Sequence, residues 1–365
     1  MSSPIFKAAS IRGLAVFFVL LTSVPGMTQV VPQHGNSLFN FTSDVRVFTA
    51  YAMLNASGGT GEWRRAGMHP LRIELRSDLA GNLTPAFQRK LRDFNQSHGR
   101  ILETYEYALL TDGPPYFHLN YDPKTTGSIA QSVQSDSGMS GLLAEFYKNA
   151  GIARLWKKYR PLIQAENDKY EPYAEMAVAD VQSYCLLDSN YFSKSTRRIH
   201  FQFMPLLPYF ASLTARVNGE IYLIAGPQEE KPDKTIFYYY LLARVAGPLV
   251  RSDSAGVNRL SALYDSVKSK IDMKRGKWNT LVTECFAEAM DIRMEEGIYH
   301  LDSAAVSASL ADEYKFGFIL CPAIYGRLAE YELSGKSFTG YFPAILESIN
   351  LKDEEERWEE FWRGI

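Results

Sequence analysis

The chain reads TARVNGEIYLIA from Thr214 to Ala225, and this stretch decides the fold class. Polar and apolar residues alternate on both sides of Asn218-Gly219. This pair between two alternating runs is the strongest short-range sequence signal for a β-hairpin. We therefore predict a hairpin over 212–225 that turns at Asn218-Gly219. The run IHFQFM from Ile199 to Met204 also alternates and predicts a further strand upstream.

Helical periodicity dominates on either side of these strands. From 84 to 190, apolar residues return every three or four positions, as in GLLAEFYKNAGIARLWKKYRPLI from Gly141 to Ile163. Further helices are predicted over 233–246, where Gly247-Pro248 ends the pattern, and over 277–296. The sequence thus predicts an α+β fold in which helices surround a small, mostly antiparallel sheet.

Composition limits the classes of protein that this chain can belong to. It has 365 residues, of which 46% are apolar, 39 are basic and 41 are acidic. The apolar share is large enough for a core and excludes disorder as the main state. A near-neutral charge balance argues against a nucleic-acid-binding protein, which normally carries a basic excess.

Residues 1–26 have the pattern of a secretory signal peptide. Lys7 and Arg12 precede an apolar run, Leu14 to Val24, that is about half as long as a bilayer-spanning helix. A retained membrane anchor is the alternative. We expect a secreted or periplasmic protein with no stable membrane span after cleavage. One large domain is predicted over 38–350, followed by an acidic tail over 351–365.

The chain contains three cysteines, Cys185, Cys285 and Cys321. In an oxidising compartment two of them can form a disulfide and leave one thiol, and the sequence does not select the pair. The alternative is that all three are small buried hydrophobic residues.

Sequence motifs for nucleotides, acyl transfer and zinc are missing. The chain has no G-x-x-x-x-G-K-[ST], no G-x-G-x-x-G between a strand and a helix, and no G-x-S-x-G. A helical zinc pair needs two histidines at i and i+4. The six histidines are never that close: His34, His69, His98, His118, His200 and His300. We therefore expect no cofactor and no metal ion, and we interpret His200 as a satisfied core or cross-strand histidine rather than a ligand.

The order of the predicted elements resembles a known family. A hairpin, a helix ending in GPLV at Val250, and a helix carrying Trp278 and Glu284 (WNTLVTECFAEAMDIRM) resemble zincin-like metallopeptidases of the gluzincin type. More closely, they resemble a group of secreted bacterial proteins of unassigned function with such a domain. The resemblance extends from Val45 to about Met294. It implies a zincin-like fold, an active helix beginning H-E-x-x-H, and a later helix that supplies a glutamate as third zinc ligand.

The resemblance implies a metal site whose donors are missing from this chain. Counted back from Gly247-Pro248, Tyr239 and Ala243 occupy the two histidine positions, and Tyr240 occupies the general-base position. Glu284 matches the third ligand. Alanine has no donor atom, and a phenol with a pKa near 10 is a poor zinc ligand and a poor base at neutral pH. The resemblance therefore implies a catalytically inactive protein with these vestigial positions.

Our leading hypothesis is a secreted, inactive metallopeptidase-like protein that binds an unknown peptide, protein or glycan through an aromatic-lined cleft. The predicted binding residues are aromatic or acidic: Tyr238, Tyr239, Tyr240, Glu284 and Glu288. The tyrosines could instead form the buried face of a core helix. Two other functions remain open: a hydrolase (peptidase) with a non-standard site around Glu284, together with Glu288 or Asp291, and an envelope structural protein.

Overall fold

The computed structural model describes residues 38–58, 69–98, 101–121, 138–194, 198–207, 209, 211–218, 220–228, 232–263 and 278–363. The predicted signal peptide over 1–26 lies outside these residues. Within the described ranges, no helix is both long and apolar enough to cross a membrane.

The described residues form two compact units. The sheet unit comprises those within Pro4–Asp168 and Ser195–Glu229, and the helical unit those within Lys169–Lys194 and Glu230–Ile365. The single domain predicted over 38–350 contains residues of both.

Helices and one small sheet make up the two units, which confirms the α+β fold class. The sheet unit contains β1 (Phe39–Phe41), α1 (Val45–Ser57), α2 (Pro70–Asn82), α3 (Pro85–His98), α4 (Ile101–Leu109), α5 (Met139–Asn149), the first part of α6 (Ile152–Tyr184), β2 (Ile199–Phe203), β3 (Ser212–Val217) and β4 (Glu220–Ala225). The helical unit contains the rest of α6, α7 (Thr235–Ser252), α8 (Ser254–Arg259), α9 (Trp278–Tyr299), α10 (Ser303–Lys315), α11 (Cys321–Ser334), α12 (Phe338–Ser348) and α13 (Leu351–Arg363).

The predicted hairpin over 212–225 is confirmed. Strands β3 and β4 pair antiparallel, and Asn218 between them has a φ of 51°, the left-handed conformation that a type I′ turn requires. The prediction of a mostly antiparallel sheet is wrong. The strand order is β1-β2-β4-β3, and both the β1–β2 and the β2–β4 pairings are parallel. Strand β4 lies between β2 and β3. The turn of the hairpin reverses the chain after β3, so that β4 runs parallel to β2.

The two faces of the sheet differ in polarity, because successive side chains of a strand point to opposite sides. Phe39, Phe201 and Leu223 are buried on one face. On the other face, the register aligns Asn40 of β1, His200 of β2 and Tyr222 of β4 in one row across the sheet. The sheet therefore presents one apolar face and one face that carries a polar row.

Helix α7 is longer than the predicted helix over 233–246. It runs through Gly247-Pro248 to Ser252, with Pro248 inside the helix. Proline lacks a backbone N–H and usually ends a helix. Here Val250, in the last turn of α7, is buried, and this burial favours continuation of the helix. Asp253 follows the helix, and its side chain accepts a hydrogen bond from the N–H of Gly256 at 3.0 Å and so caps α8.

The predicted acidic tail over 351–365 forms helix α13 across Leu351–Arg363. Its Trp358 is 2% exposed and packs against Tyr314, with ring centroids 5.0 Å apart. The acidic run therefore lies on an amphipathic helix that covers part of the core of the helical unit.

Cys185, Cys285 and Cys321 are buried thiols. The interpretation as three small buried residues is confirmed, and no disulfide joins them.

Candidate functional site

Helix α7 places the predicted ligand window beside the predicted glutamate helix. Phe237, Leu241 and Val245 are buried on one side of α7, which packs along α9. A Cβ at Gly247 would lie 3.6 Å from Cγ2 of Thr283 on α9. Because glycine has no side chain, the two helices approach closely at this level. The structure thus brings the two predicted parts of the site onto neighbouring helices.

Tyr238 belongs to the core of the helical unit. Its ring is fully buried, and its hydroxyl donates a hydrogen bond to the Asp180 carboxylate of α6. The same carboxylate forms an ion pair with Lys234 at 2.5 Å. Burial raises the pKa of Tyr238 strongly, and the hydrogen bond to Asp180 and the charges of Asp233 and Asp291 raise it further. The phenol therefore stays protonated at neutral pH and acts as a hydrogen-bond donor. This position matches the core-helix alternative.

Tyr239 and Tyr240 lie at the border between the core and the surface. Both are partly exposed, and their rings meet edge to face with centroids 5.1 Å apart and an interplanar angle of 87°. Edge-to-face packing is favourable for aromatic rings and restricts their motion. Ala243, one turn after Tyr239, is also partly exposed and offers only a methyl group. Tyr239, Tyr240 and Ala243 thus give α7 an aromatic and apolar strip.

Helix α9 carries two of the predicted binding residues, Glu284 and Glu288. Glu284 is half-buried and Glu288 is 2% exposed. Burial raises the pKa of Cys285, and the charges of both glutamates raise it further, against a lowering by backbone hydrogen bonds at Leu320 and Cys321. The buried Cys285 thiol therefore stays protonated at neutral pH. The Glu284 and Glu288 carboxylates lie close enough to it to raise its pKa by charge repulsion.

The donor atoms on α7 and α9 do not match those that zinc requires. Across the described ranges, no three histidine, cysteine, aspartate or glutamate side chains are placed to hold a metal ion. Ala243 supplies no ligand, and zinc sites in proteins use imidazole, thiolate and carboxylate donors. Helices α7 and α9, which we call the helix pair, can supply aromatic surface, phenol hydroxyls and negative charge.

A second polar group lies in the sheet unit, around His200. The Asn40 amide donates to its Nδ1 at 3.3 Å, and its Nε2 donates to the Glu220 carboxylate at 3.2 Å. The ring also stacks on Tyr222, with centroids 4.7 Å apart. Both ring nitrogens are therefore bonded within the sheet, as the interpretation of a cross-strand histidine predicts.

Arg46 lies on helix α1, near Tyr222 of the polar row that also contains Asn40 and His200, and it contacts the end of α4 and the chain after it. Its guanidinium forms an ion pair with Asp44 at 2.6 Å and donates to the carbonyls of Leu109 and Thr111, both at 2.9 Å. The Tyr222 side chain lies close enough to influence its charge. Burial lowers the pKa of Arg46, but Asp44 and Tyr222 outweigh this effect and raise it overall. Arg46 is thus a permanent cation that joins α1 to Asp44 and to the end of α4.

Our sequence analysis missed Asp180, Lys234, Asp44 and Arg46. For Asp44 and Arg46 a local signal exists, because an aspartate directly before a helical run predicts an N-cap, and Asp44 does accept from the N–H of Arg46 at 2.7 Å. For Asp180 no local signal exists, since its partners lie more than 50 residues away along the chain.

No protein-family model, no curated protein and no solved structure matches the chain.

Proposed function

We propose that the chain is a secreted, catalytically inactive metallopeptidase-like protein that binds a peptide, protein or glycan through the exposed parts of α7 and α9. One observation carries the proposal. The helix that resembles a zinc-binding helix packs on the helix that carries Glu284, yet Tyr239 and Ala243 stand where the resemblance would put the histidines.

The aromatic strip supports binding rather than catalysis. Tyr239 and Tyr240 are partly exposed and hold each other edge to face, so a ligand can cover aromatic area at a small entropic cost. A tyrosine also keeps a hydroxyl for hydrogen bonding. These are the properties of aromatic residues that recur in protein binding sites.

The charge of the helix pair supports a preference among ligands. Three aspartates lie close enough to Tyr238 to raise the pKa of its hydroxyl: Asp180, Asp233 and Asp291. Glu284 and Glu288 lie on the same helix as Asp291. Lys234 pairs with Asp180 and offsets one of these charges. Over α7 and α9 together, five carboxylates (all on α9) outnumber three arginines (Arg244, Arg251 and Arg293), and this small excess favours a ligand with basic or hydroxyl groups over an acidic one.

Metal analysis of the purified full chain tests the inactive part of the proposal. We expect less than stoichiometric zinc after dialysis against zinc-containing buffer, both in the wild type and in Glu284→Ala. Stoichiometric zinc that is lost in Glu284→Ala would overturn the proposal, because the helix pair would then hold a metal.

A binding screen tests the other part. We expect a ligand from a peptide and glycan panel to bind the full chain, and the Tyr239→Ala/Tyr240→Ala variant to weaken binding about tenfold or more, since two aromatic contacts are lost. Tyr173→Ala on α6 is the matched control and should bind like the wild type. Hydrolysis of a panel member that disappears in Glu284→Gln would favour the hydrolase alternative and contradict the proposal.

A further inference from the structure

The segment 111–120 after helix α4, which we call the tyrosine loop, has a fixed backbone. Thr111 and Leu119 form an antiparallel β-bridge. The N–H of Asp112 donates to the carbonyl of His118 at 2.9 Å, and the N–H of His118 returns to Oδ1 of Asp112, also at 2.9 Å. The N–H of Asn120 donates to Leu110 at 2.7 Å. These bonds close the loop on itself.

Two contacts fasten the tyrosine loop to the rest of the sheet unit. Phe117 is fully buried, its ring meets Tyr147 edge to face, and its carbonyl accepts from Oγ of Ser140 at 2.6 Å. At the start of the loop, Arg46 donates to the carbonyl of Thr111 at 2.9 Å. The loop is therefore held at its centre and at its base.

The burial of Phe117 turns its two neighbours outward. Phe117 has a φ of 54°, which is uncommon for a bulky residue. Tyr116 before it is 66% exposed, and His118 after it is exposed as well. Their rings are nearly parallel, with an interplanar angle of 11° and centroids 5.4 Å apart. The imidazole stacks on one side of the phenol ring, and the high exposure of Tyr116 indicates that the opposite side is accessible.

An exposed aromatic ring on a fixed loop indicates recognition. Leaving a tyrosine ring in water forgoes the free energy of its burial, and a positive φ at phenylalanine adds a local cost. A mobile surface tyrosine needs neither a stacked imidazole behind it nor a buried anchor beside it. Binding residues commonly lie on loops that a rigid scaffold positions.

We propose that Tyr116, backed by His118, is a stacking surface for a sugar ring, so that the sheet unit binds a saccharide. This site is separate from the helix pair and goes beyond the function proposed above. A pyranose has an apolar C–H face that suits the open side of the ring, and hydroxyl groups at its edge. Two polar side chains that are exposed within the same loop, Asp112 and Asn120, can supply hydrogen bonds to those hydroxyls.

Other ligand classes fit this surface less well. A proline-rich peptide docks in a groove between aromatic rings, whereas the rings of Tyr116 and His118 stack on each other. A cationic ligand would gain from several carboxylates, and Asp112 is the one acidic side chain within 111–120. The combination of one open aromatic face with neutral and acidic hydrogen-bonding groups favours a saccharide.

Calorimetry with the full chain and cello-, xylo-, chito- and malto-oligosaccharides tests the inference. We expect at least one series to bind, and Tyr116→Ala to weaken that binding about tenfold or more. Tyr116→Phe should bind within about twofold of the wild type, because it keeps the ring. Phe316→Ala, which removes a partly exposed ring in the helical unit, should bind like the wild type. Thermal unfolding should be the same for all four proteins.

Four outcomes would overturn the saccharide site. The first three are the absence of binding to every series, binding that Tyr116→Ala leaves unchanged, and binding of a proline-rich peptide that Tyr116→Ala abolishes. The fourth is loss of binding in Tyr239→Ala/Tyr240→Ala with Tyr116→Ala unaffected, which would assign the ligand to α7 and α9. Failure of the helix-pair proposal leaves this test intact, because the two sets of variants lie in different units.

Discussion

Replacement of Tyr238 by phenylalanine isolates a single buried hydrogen bond. The variant keeps the ring and removes the hydroxyl that donates to Asp180. We expect the free energy of unfolding to fall by about 1–2 kcal/mol, because the bond to a carboxylate is lost while Lys234 still pairs with Asp180. Urea denaturation measures the change. Tyr173→Phe on α6 is the control and should unfold like the wild type; equal midpoints for all three proteins would show that the bond contributes nothing.

Glu354 on α13 should make stability depend on pH. Burial raises its pKa above the ordinary value of 4.5, and the charge of Asp353 raises it further, while Arg357 lowers it. The folded chain therefore holds this proton more tightly than the unfolded chain, and the resulting stabilisation is lost as pH rises above about 4.5. Glu354→Gln stays neutral, so relative to the wild type it should gain stability from pH 4 to pH 8.

Unfolding free energies at these two pH values check the prediction. Glu359→Gln, at an exposed position of α13, is the control and should show no such gain. A relative stability of Glu354→Gln that stays constant or falls between pH 4 and pH 8 would contradict the expected shift.

At the residue scale, the sequence predicted those roles that local spacing determines. His200 was correctly interpreted because alternation in IHFQFM places it on the polar side of a strand between two neighbours. The contacts of Arg46 with Leu109 and Thr111 were not predictable. These partners lie more than 60 residues away, and no local pattern encodes which distant carbonyl a guanidinium reaches.

Gly247 tests how closely α7 and α9 pack. An added Cβ would meet the flexible end of Arg251 at 3.3 Å and Cγ2 of Thr283 at 3.6 Å. We expect Gly247→Ala to be neutral or more stable by up to about 1 kcal/mol, because alanine is the better helix former and the arginine can move. Gly247→Leu should lose about 2 kcal/mol or more, since its branches have no space against α9.

Thermal unfolding of both Gly247 variants gives the comparison. Gly297→Ala and Gly297→Leu on α9 are the matched controls, because an added Cβ at Gly297 meets no atom within 4 Å. A leucine that is equally tolerated at both glycines would show that the helix pair is loose at this level.

At the element scale, the sequence predicted what forms within about 20 residues. The hairpin followed from Asn218-Gly219, and α9 followed from apolar periodicity over 277–296. The direction of β1 relative to β2 was not predictable, because three alternating residues do not specify a partner. The continuation of α7 past Pro248 depends on burial of Val250, which is decided by packing rather than by local propensity.

The three thiols give a prediction for the whole molecule. All are buried, and burial raises the pKa of Cys185 and Cys285. Because the thiolate is the reactive form, we expect Ellman's reagent to modify none within minutes in buffer and all three in concentrated guanidinium chloride without reductant. Fast modification of the native chain, or fewer than three reactive thiols after unfolding, would contradict this arrangement.

At the scale of the molecule, the resemblance placed α7 and α9 in one site, and the structure does pack them together. The division of the chain into two units was not predicted, because it depends on which surfaces α6 buries along its length. A helix of this length with apolar residues every three or four positions gives no sign of where one core ends and another begins.

The parallel pairing of β1 with β2 has a consequence for biosynthesis. Asn40 and His200, which are neighbours in the sheet, are 160 residues apart in the chain. At a typical ribosomal rate, roughly 8–30 s separate the emergence of the first strand from that of its partner. During that interval β1, with two phenylalanines among its three residues, has been made before β2, its partner in the sheet. We expect β1 to be a binding site for a chaperone that shields hydrophobic segments of nascent chains.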